Sequence, residues 1–143
     1  PFCLAHALEG DVRDLGSPDE WLIEWKWDGI RAQLIRRKGR TIVWSRGEDM
    51  LDEQFPEVKE AGNLLPDGTV LDGEIKVWRD GRPATFGDLQ KRLGRKKVGK
   101  KTLKDYPAIF MAYDYLEKDG EDIRSESMIK RRRHLEDLMQ SLP

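Results

Sequence analysis

Lys26 stands between two carboxylates, Glu24 and Asp28, in the stretch Glu24-Trp25-Lys26-Trp27-Asp28-Gly29-Ile30-Arg31. A period of two puts Glu24, Lys26 and Asp28 on one face of a strand and Trp21, Ile23, Trp25 and Trp27 on the other. The aromatic face would seat the strand in a core, leaving a lysine on the opposite side as a candidate nucleophile. A free lysine with a pKa near 10.4 is neutral only about once in 2,500 at pH 7, so the role needs desolvation or nearby positive charge. A metal ion and neighbouring Arg or Lys would supply it. The ordinary alternative is a charge ladder on a solvated strand, and spacing alone favours that alternative.

A second stretch repeats the arrangement. In Val70-Leu71-Asp72-Gly73-Glu74-Ile75-Lys76, the charged Asp72, Glu74 and Lys76 share a face, and Leu71, Ile75 and Val77 share the other. Gly73 inside a strand marks close approach of a ligand or another backbone. Two such strands could line a cleft, or form a sheet with one solvated face.

The elements that must position these residues are mostly strands. Pro1 to Pro18 reads as loop, and Trp21 to Asp28 as the first strand. Ile30, Ala32 and Leu34 continue an alternation that turns at Lys38-Gly39 into Thr41–Ser45. A helix is predicted over 54–65, a strand over 69–78 turning at Asp80-Gly81, and a short helix carrying Phe86, Leu89 and Leu93. Ala108–Leu116 is apolar almost throughout, as in a central strand buried on both faces. A last helix over 127–142 carries Met128, Leu135, Leu138, Met139 and Leu142 on one side. The fold class is α+β, antiparallel sheets flanked by helices, in a single domain over residues 1–143.

Composition bounds the function. The apolar fraction of 38% with five Trp, four Phe and three Tyr gives enough bulk for a core. No apolar run approaches the roughly 20 residues that span a bilayer, and Pro1 to His6 lack the pattern of a signal peptide. The single Cys3 excludes an internal disulfide and a Cys-based zinc site. These features predict a cytoplasmic domain with no membrane partner. The net charge of −1 hides an asymmetry, because residues 91–104 hold eight of the 26 basic residues and no acidic one. Such a segment favours a polyanionic partner. Gly94 to Lys101 falls short of a phosphate-binding Gly-rich loop, since no Ser or Thr follows its Gly-Lys and no apolar strand leads into it. His6 and His134 are too isolated for a metal site. Lys130-Arg131-Arg132-Arg133 reads as a solvated face of the last helix.

Lys26-Trp27-Asp28-Gly29-Ile30-Arg31 resembles motif I, K-x-D-G-x-R, of the covalent nucleotidyltransferases: ATP-dependent DNA ligases, RNA ligases and mRNA capping enzymes. Ser45-Arg46-Gly47 resembles the next ligase motif, Leu71-Asp72-Gly73-Glu74 resembles motif III, and Ala112-Tyr113-Asp114 resembles motif IIIa, in family order. The flanking segments are most similar to bacterial ATP-dependent DNA ligases, and the resemblance covers nearly the whole chain. It implies an ATP-grasp-like adenylation domain, a bacterial nucleoid location, and ATP and Mg²⁺ as cofactors.

The resemblance also implies roles. Lys26 would attack the α-phosphate of ATP and carry AMP to the 5′-phosphate of nicked double-stranded DNA. Glu24 would contact the adenine edge, Arg31 the ribose and phosphates, and Arg46 a phosphate of the nucleotide or the nick. Glu74 would hold ribose hydroxyls or the metal, and Tyr113 would stack on adenine in the place of the family's usual Phe. Arg95, Lys96, Lys97, Lys100 and Lys101 would follow DNA phosphates alongside Arg46. Motif IV, motif V and the OB-fold domain have no counterpart between Leu116 and Pro143. The 143 residues therefore read as the first part of an adenylation domain, with weak self-adenylation or none, no nick sealing, and the remainder expected beyond Pro143. The competing readings are an RNA ligase of the same superfamily and a noncatalytic nucleic-acid-binding module.

Overall fold

The computed structural model describes residues 2–143. Alternating apolar residues and two-residue turns build its frame. β1 (Ile30–Arg37) and β2 (Arg40–Ser45) form a hairpin through Lys38 and Gly39, both at positive φ (51° and 71°). β3 (Thr69–Arg79) turns through Asp80 and Gly81 (φ 54° and 74°) into the two-residue β4 (Arg82–Pro83). Both turns match the left-handed pairs that suit twisted hairpins. β5 (Ala108–Lys118) and the short β6 (Glu121–Asp122) complete a six-stranded antiparallel sheet ordered β2-β1-β3-β5-β6, with β4 on β3.

Helices close the frame. α1 (Pro56–Gly62) is shorter than the predicted 54–65, because Pro56 opens it and turns precede and follow it. α2 (Phe86–Leu93) is capped by Thr85, whose hydroxyl accepts the Asp88 N–H at 3.3 Å. α3 (Lys100–Asp105) occupies part of the basic segment, where no helix was predicted. α4 (Met128–Ser141) runs within one residue of the predicted span at each end and packs on β5. The core joins Ala32, Leu34, Val43, Phe55, Leu71 and Ile75 to Leu89, Leu135 and Leu138. Among the described residues, no helix is long and apolar enough to cross a membrane.

Four expectations need correction. Trp21 to Asp28 is no strand: it has no ladder partner, and Trp21, Ile23 and Trp25 are exposed. Alternation makes a strand only where a neighbour takes its backbone hydrogen bonds. β5 is not buried on both faces, since only Ala108 and Tyr115 along it are buried. The central strand is β3, flanked by β1 and β5 and buried at eight of its eleven positions. On α4, Met128 and Met139 are exposed while Arg131 lies buried, so Lys130 to Arg133 is not a uniformly solvated face. In the basic segment, Arg92 has no solvent exposure and is a core residue.

Candidate active site

Lys26 lies on the irregular segment that leads into β1, and local packing fixes that segment. Trp27 meets Trp78 edge to face, with centroids 6.3 Å apart. The buried Lys76 donates from Nζ to the Asp28 carbonyl at 2.5 Å and sits 5.9 Å from the centre of the Trp27 ring. Gly29 lies so close to β3 that an added Cβ would come within 2.3 Å of the Ile75 carbonyl oxygen. A side chain there would clash with the β3 backbone and displace the segment that carries Lys26. Trp27, Gly29 and Lys76 thus do what the sequence reading assigned to Trp21, Trp25 and Trp27 together.

Register sets the next residues. Arg31 on β1 stands opposite Glu74 on β3, and its guanidinium forks onto Asp72 with Nε–Oδ1 at 3.2 Å and Nη2–Oδ2 at 2.9 Å. Its remaining nitrogen, Nη1, donates to the Cys3 carbonyl. The same guanidinium lies 5.7 Å from the centre of the Tyr113 ring.

Tyr113 owes its position to an irregularity. Asp72 pairs with Asp114 and Gly73 with Ala112, so Tyr113 is the extra residue of a β-bulge. Gly73 permits the approach of β5, because a Cβ there would meet the Met111 carbonyl oxygen at 2.5 Å. Arg46 follows β2 in a turn held by Ser45 N to Asp49 O (2.9 Å) and Asp49 N to Ser45 Oγ (3.1 Å), with its side chain exposed.

These elements enclose a cavity of about 990 Å³ whose wall includes Glu24, Lys26, Arg31, Arg46, Glu74 and Tyr113. The six residues predicted for the nucleotide therefore converge, from four separate stretches of chain. The five basic residues predicted to follow DNA lie elsewhere: Arg95, Lys96, Lys97, Lys100 and Lys101 are exposed and outside the cavity wall.

The electrostatics suit an anion beside a flat ring. Burial raises the Glu74 pKa, opposed by the Gly29 N–H and the charges of Arg31, Lys76 and Lys26. Burial also raises the Tyr113 hydroxyl, reinforced by the Asp72 carboxylate, so the ring is a neutral phenol at pH 7. Arg31 loses some of its preference for charge to desolvation, but the Asp72 carboxylate overrides this and raises its pKa. Among the described residues, no group of three or more His, Cys, Asp or Glu side chains could hold a metal ion.

Two site residues escaped the sequence reading. Arg131 of α4 lines the cavity and forks onto Asp114 at 2.8 and 3.0 Å, and Arg132 reaches Glu24 at 3.3 Å. A signal was present: Arg131 falls three residues after Met128 and four before Leu135, on the apolar stripe itself.

Known proteins resemble the chain in both sequence and shape. A family model described as ATP dependent DNA ligase domain matches residues 3–143. A probable DNA ligase of Opitutus terrae is 42% identical over 120 residues, covering 83% of this chain and 12% of that protein. A DNA ligase of Methanothrix thermoacetophila is 33% identical over 116 residues, covering 79% of this chain and 21% of that protein. In shape, the chain is similar to the ligase domain of M. tuberculosis LigD, with a TM-score of 0.68 at 27% identity over 83% of this chain and 37% of that one. A mycobacterial DNA ligase D complexed with ATP and MES gives the same TM-score at 28% identity, over 83% and 36%. The chain thus spans 12% and 21% of these two curated relatives. With the match running from residue 3 to residue 143, the chain belongs to the ATP-dependent DNA ligase domain family.

Proposed function

We propose that this chain is the portion of a DNA ligase adenylation domain that binds ATP and takes AMP onto Lys26. The observation that carries this reading is the convergence of Lys26, Arg31, Arg46, Glu74 and Tyr113 on one cavity. Lys26 Nζ would attack the α-phosphorus, forming the P–N bond as the bond to pyrophosphate breaks and the lysine proton leaves. Tyr113 offers a flat neutral ring for adenine, and Glu24 lies on the same wall for its polar edge. Arg46 supplies charge for a phosphate at a rate-relevant position, where losing one such donor typically costs on the order of 10²–10³ in rate. Arg31 has Asp72 and the Cys3 carbonyl as partners, so its part is to hold the floor beneath the ribose and phosphates. Mg²⁺ typically takes one or two carboxylates and completes its shell with phosphate oxygens and water, which fits Glu74 as a contributor rather than a preformed cage. AMP would then pass to the 5′-phosphate of a DNA nick. Motifs IV and V and an OB-fold domain would come from the rest of the ligase.

The test is incubation of the ligase carrying this domain with α-labelled ATP and Mg²⁺. Acid-labile, alkali-stable label on the chain supports the reading, and its absence rejects it in favour of a noncatalytic nucleic-acid-binding module. Sealing assays on nicked DNA and nicked RNA distinguish DNA ligase from RNA ligase.

Two further outcomes are expected. Tyr113→Ala should weaken ATP binding by about tenfold, because stacking a base on an aromatic ring is worth roughly 1–3 kcal/mol. Tyr113→Phe should bind nearly as the parent does, since stacking uses the ring. Calorimetric titration with ATP checks both. Replacing Lys96, Lys97, Lys100 and Lys101 by Ala should weaken duplex binding at every sequence alike. It should also flatten the dependence of log affinity on log salt by about 0.9 for each phosphate no longer neutralised. A salt series on two unrelated duplexes measures it, and an unchanged slope would make the segment a solvated one.

A further inference from the structure

We infer that Arg131 of α4 is a positioning residue that aims the Tyr113 ring into the cavity by pinning the β-bulge through Asp114. For the nucleotide, the inference rests on the reading above. Its basis is the bonding of a single guanidinium. Arg131 is 8% exposed. Nε and Nη2 fork onto the Asp114 carboxylate at 2.8 and 3.0 Å. Nη1 donates to the carbonyls of Arg124 and Glu126 at 3.1 and 2.5 Å, and Nη2 also meets Met128 Sδ. The Asp114 carboxylate raises the Arg131 pKa against the opposing effect of burial, so the guanidinium keeps its charge.

Asp114 is the residue next to Tyr113, and it is where the β3–β5 register resumes, opposite Asp72. Its Oδ1 also accepts the Tyr115 N–H at 2.8 Å, which fixes the carboxylate to the backbone just past the bulge. A bulged residue has no ladder partner to set its direction, so something outside the ladder must. One face of Tyr113 meets Arg31, which Asp72 holds. On the other side of the bulge, the Arg131 fork ties β5 to α4 by charge-assisted bonds. A bidentate fork transmits orientation as well as attraction, which a lysine ammonium in the same place would not.

The experiment reads Tyr113 directly. The protein is labelled with fluorotyrosine, and the fluorine resonance of Tyr113 is assigned by its loss in Tyr113→Phe. Arg131→Met should shift or broaden that resonance and leave Tyr106 unmoved. Asp114→Asn, which removes the charge and keeps the shape, should do the same by a smaller margin, so a failure of Arg131→Met to fold would not remove the test. ATP affinity should fall about fivefold to tenfold in Arg131→Met, as expected of a coupled pair, and by less than about twofold when Tyr113→Ala is already present. A Tyr113 resonance unchanged in the folded variants would overturn the inference, as would an equal loss of affinity with and without Tyr113→Ala. A parent protein that binds no ATP would sink the nucleotide reading instead, and the fluorine spectra would still decide whether Arg131 aims Tyr113.

Discussion

Lys26→Ala should abolish AMP attachment in the ligase that carries this domain, and Lys26→Arg should abolish it as completely. Alanine removes the nucleophile. Arginine keeps the charge and nearly the reach, but a guanidinium stays protonated at any pH the protein survives and has no free lone pair to give phosphorus. A lysine amine, once its proton leaves, has a lone pair to give, and Lys26 shares its wall with Arg31, Arg46 and Glu74. Because a missing nucleophile leaves no alternative route to the covalent adduct, loss to the detection limit is expected, not a graded decline. ATP binding should survive in Lys26→Arg, since the stacking ring and Arg46 are untouched. Gel autoradiography with α-labelled ATP measures the adduct, and calorimetry measures binding. Labelled AMP mapping to another residue, or label persisting in either variant, would remove Lys26 from the role.

Both hairpins were legible because their information is local. Lys38-Gly39 and Asp80-Gly81 encode left-handed turns within two residues, and β1, β2 and β3 take their alternation from adjacent positions. The segment from Trp21 to Asp28 carries an equally clear alternation and makes no ladder. Periodicity reports which face a chain would turn to a core, whereas pairing depends on a neighbour that lies elsewhere in sequence. The same limit applies to β5, whose apolar run says nothing about which strands flank it. β3, with charged residues at 72, 74 and 76, turned out to be the central one.

The candidate site shows the same division. Lys26, Arg46, Glu74 and Tyr113 were singled out through short motifs, and the structure brings them to one cavity. The devices that aim them were harder to see. Tyr113 depends on a register shift between β3 and β5, strands about 40 residues apart in the chain. Lys76 looked like one more charge on a ladder and is a buried strut under Asp28. Arg131 could have been found, since a charge on the apolar stripe of an amphipathic helix must meet a partner inside. Reading Lys130 to Arg133 as a block of like charges concealed the one position that faces inward.

Arg92→Ala should be the most destabilising single substitution outside the apolar core. Arg92 sits at the corresponding place on α2, three residues after the buried Leu89, near the start of the basic segment over 91–104 whose charge suggested phosphate contacts or a solvated loop. Its side chain is fully buried and its donors are spent on three parts of the chain. Nη2 reaches Glu57 at 2.8 Å and the Gln54 carbonyl at 2.5 Å, Nε shares that carbonyl at 3.1 Å, and Nη1 meets Glu57 and the Tyr106 carbonyl, the latter at 2.8 Å. Its guanidinium also lies 4.7 Å from the centre of the Phe55 ring. Glu57 in turn accepts the Ala108 N–H at 3.0 Å, so the pair joins α2 and α1 to the first residue of β5. Truncation to alanine takes the guanidinium from two carbonyls and from the partly exposed Glu57 carboxylate, which keeps only the Ala108 N–H. Breaking such a pair from one side costs about 3–5 kcal/mol, a large part of the roughly 5–15 kcal/mol that typically holds a domain together. Arg92→Lys should recover little, because one ammonium cannot span the carboxylate and both carbonyls. Removing both charges, as Arg92→Met with Glu57→Leu, should be milder than Arg92→Ala alone, since no unpaired carboxylate remains. Arg95→Ala and Lys96→Ala, exposed in the same segment, should stay within about 0.5 kcal/mol of the parent. Urea unfolding followed by tryptophan fluorescence gives all five values, and a loss below about 1 kcal/mol for Arg92→Ala would return that residue to the basic strip.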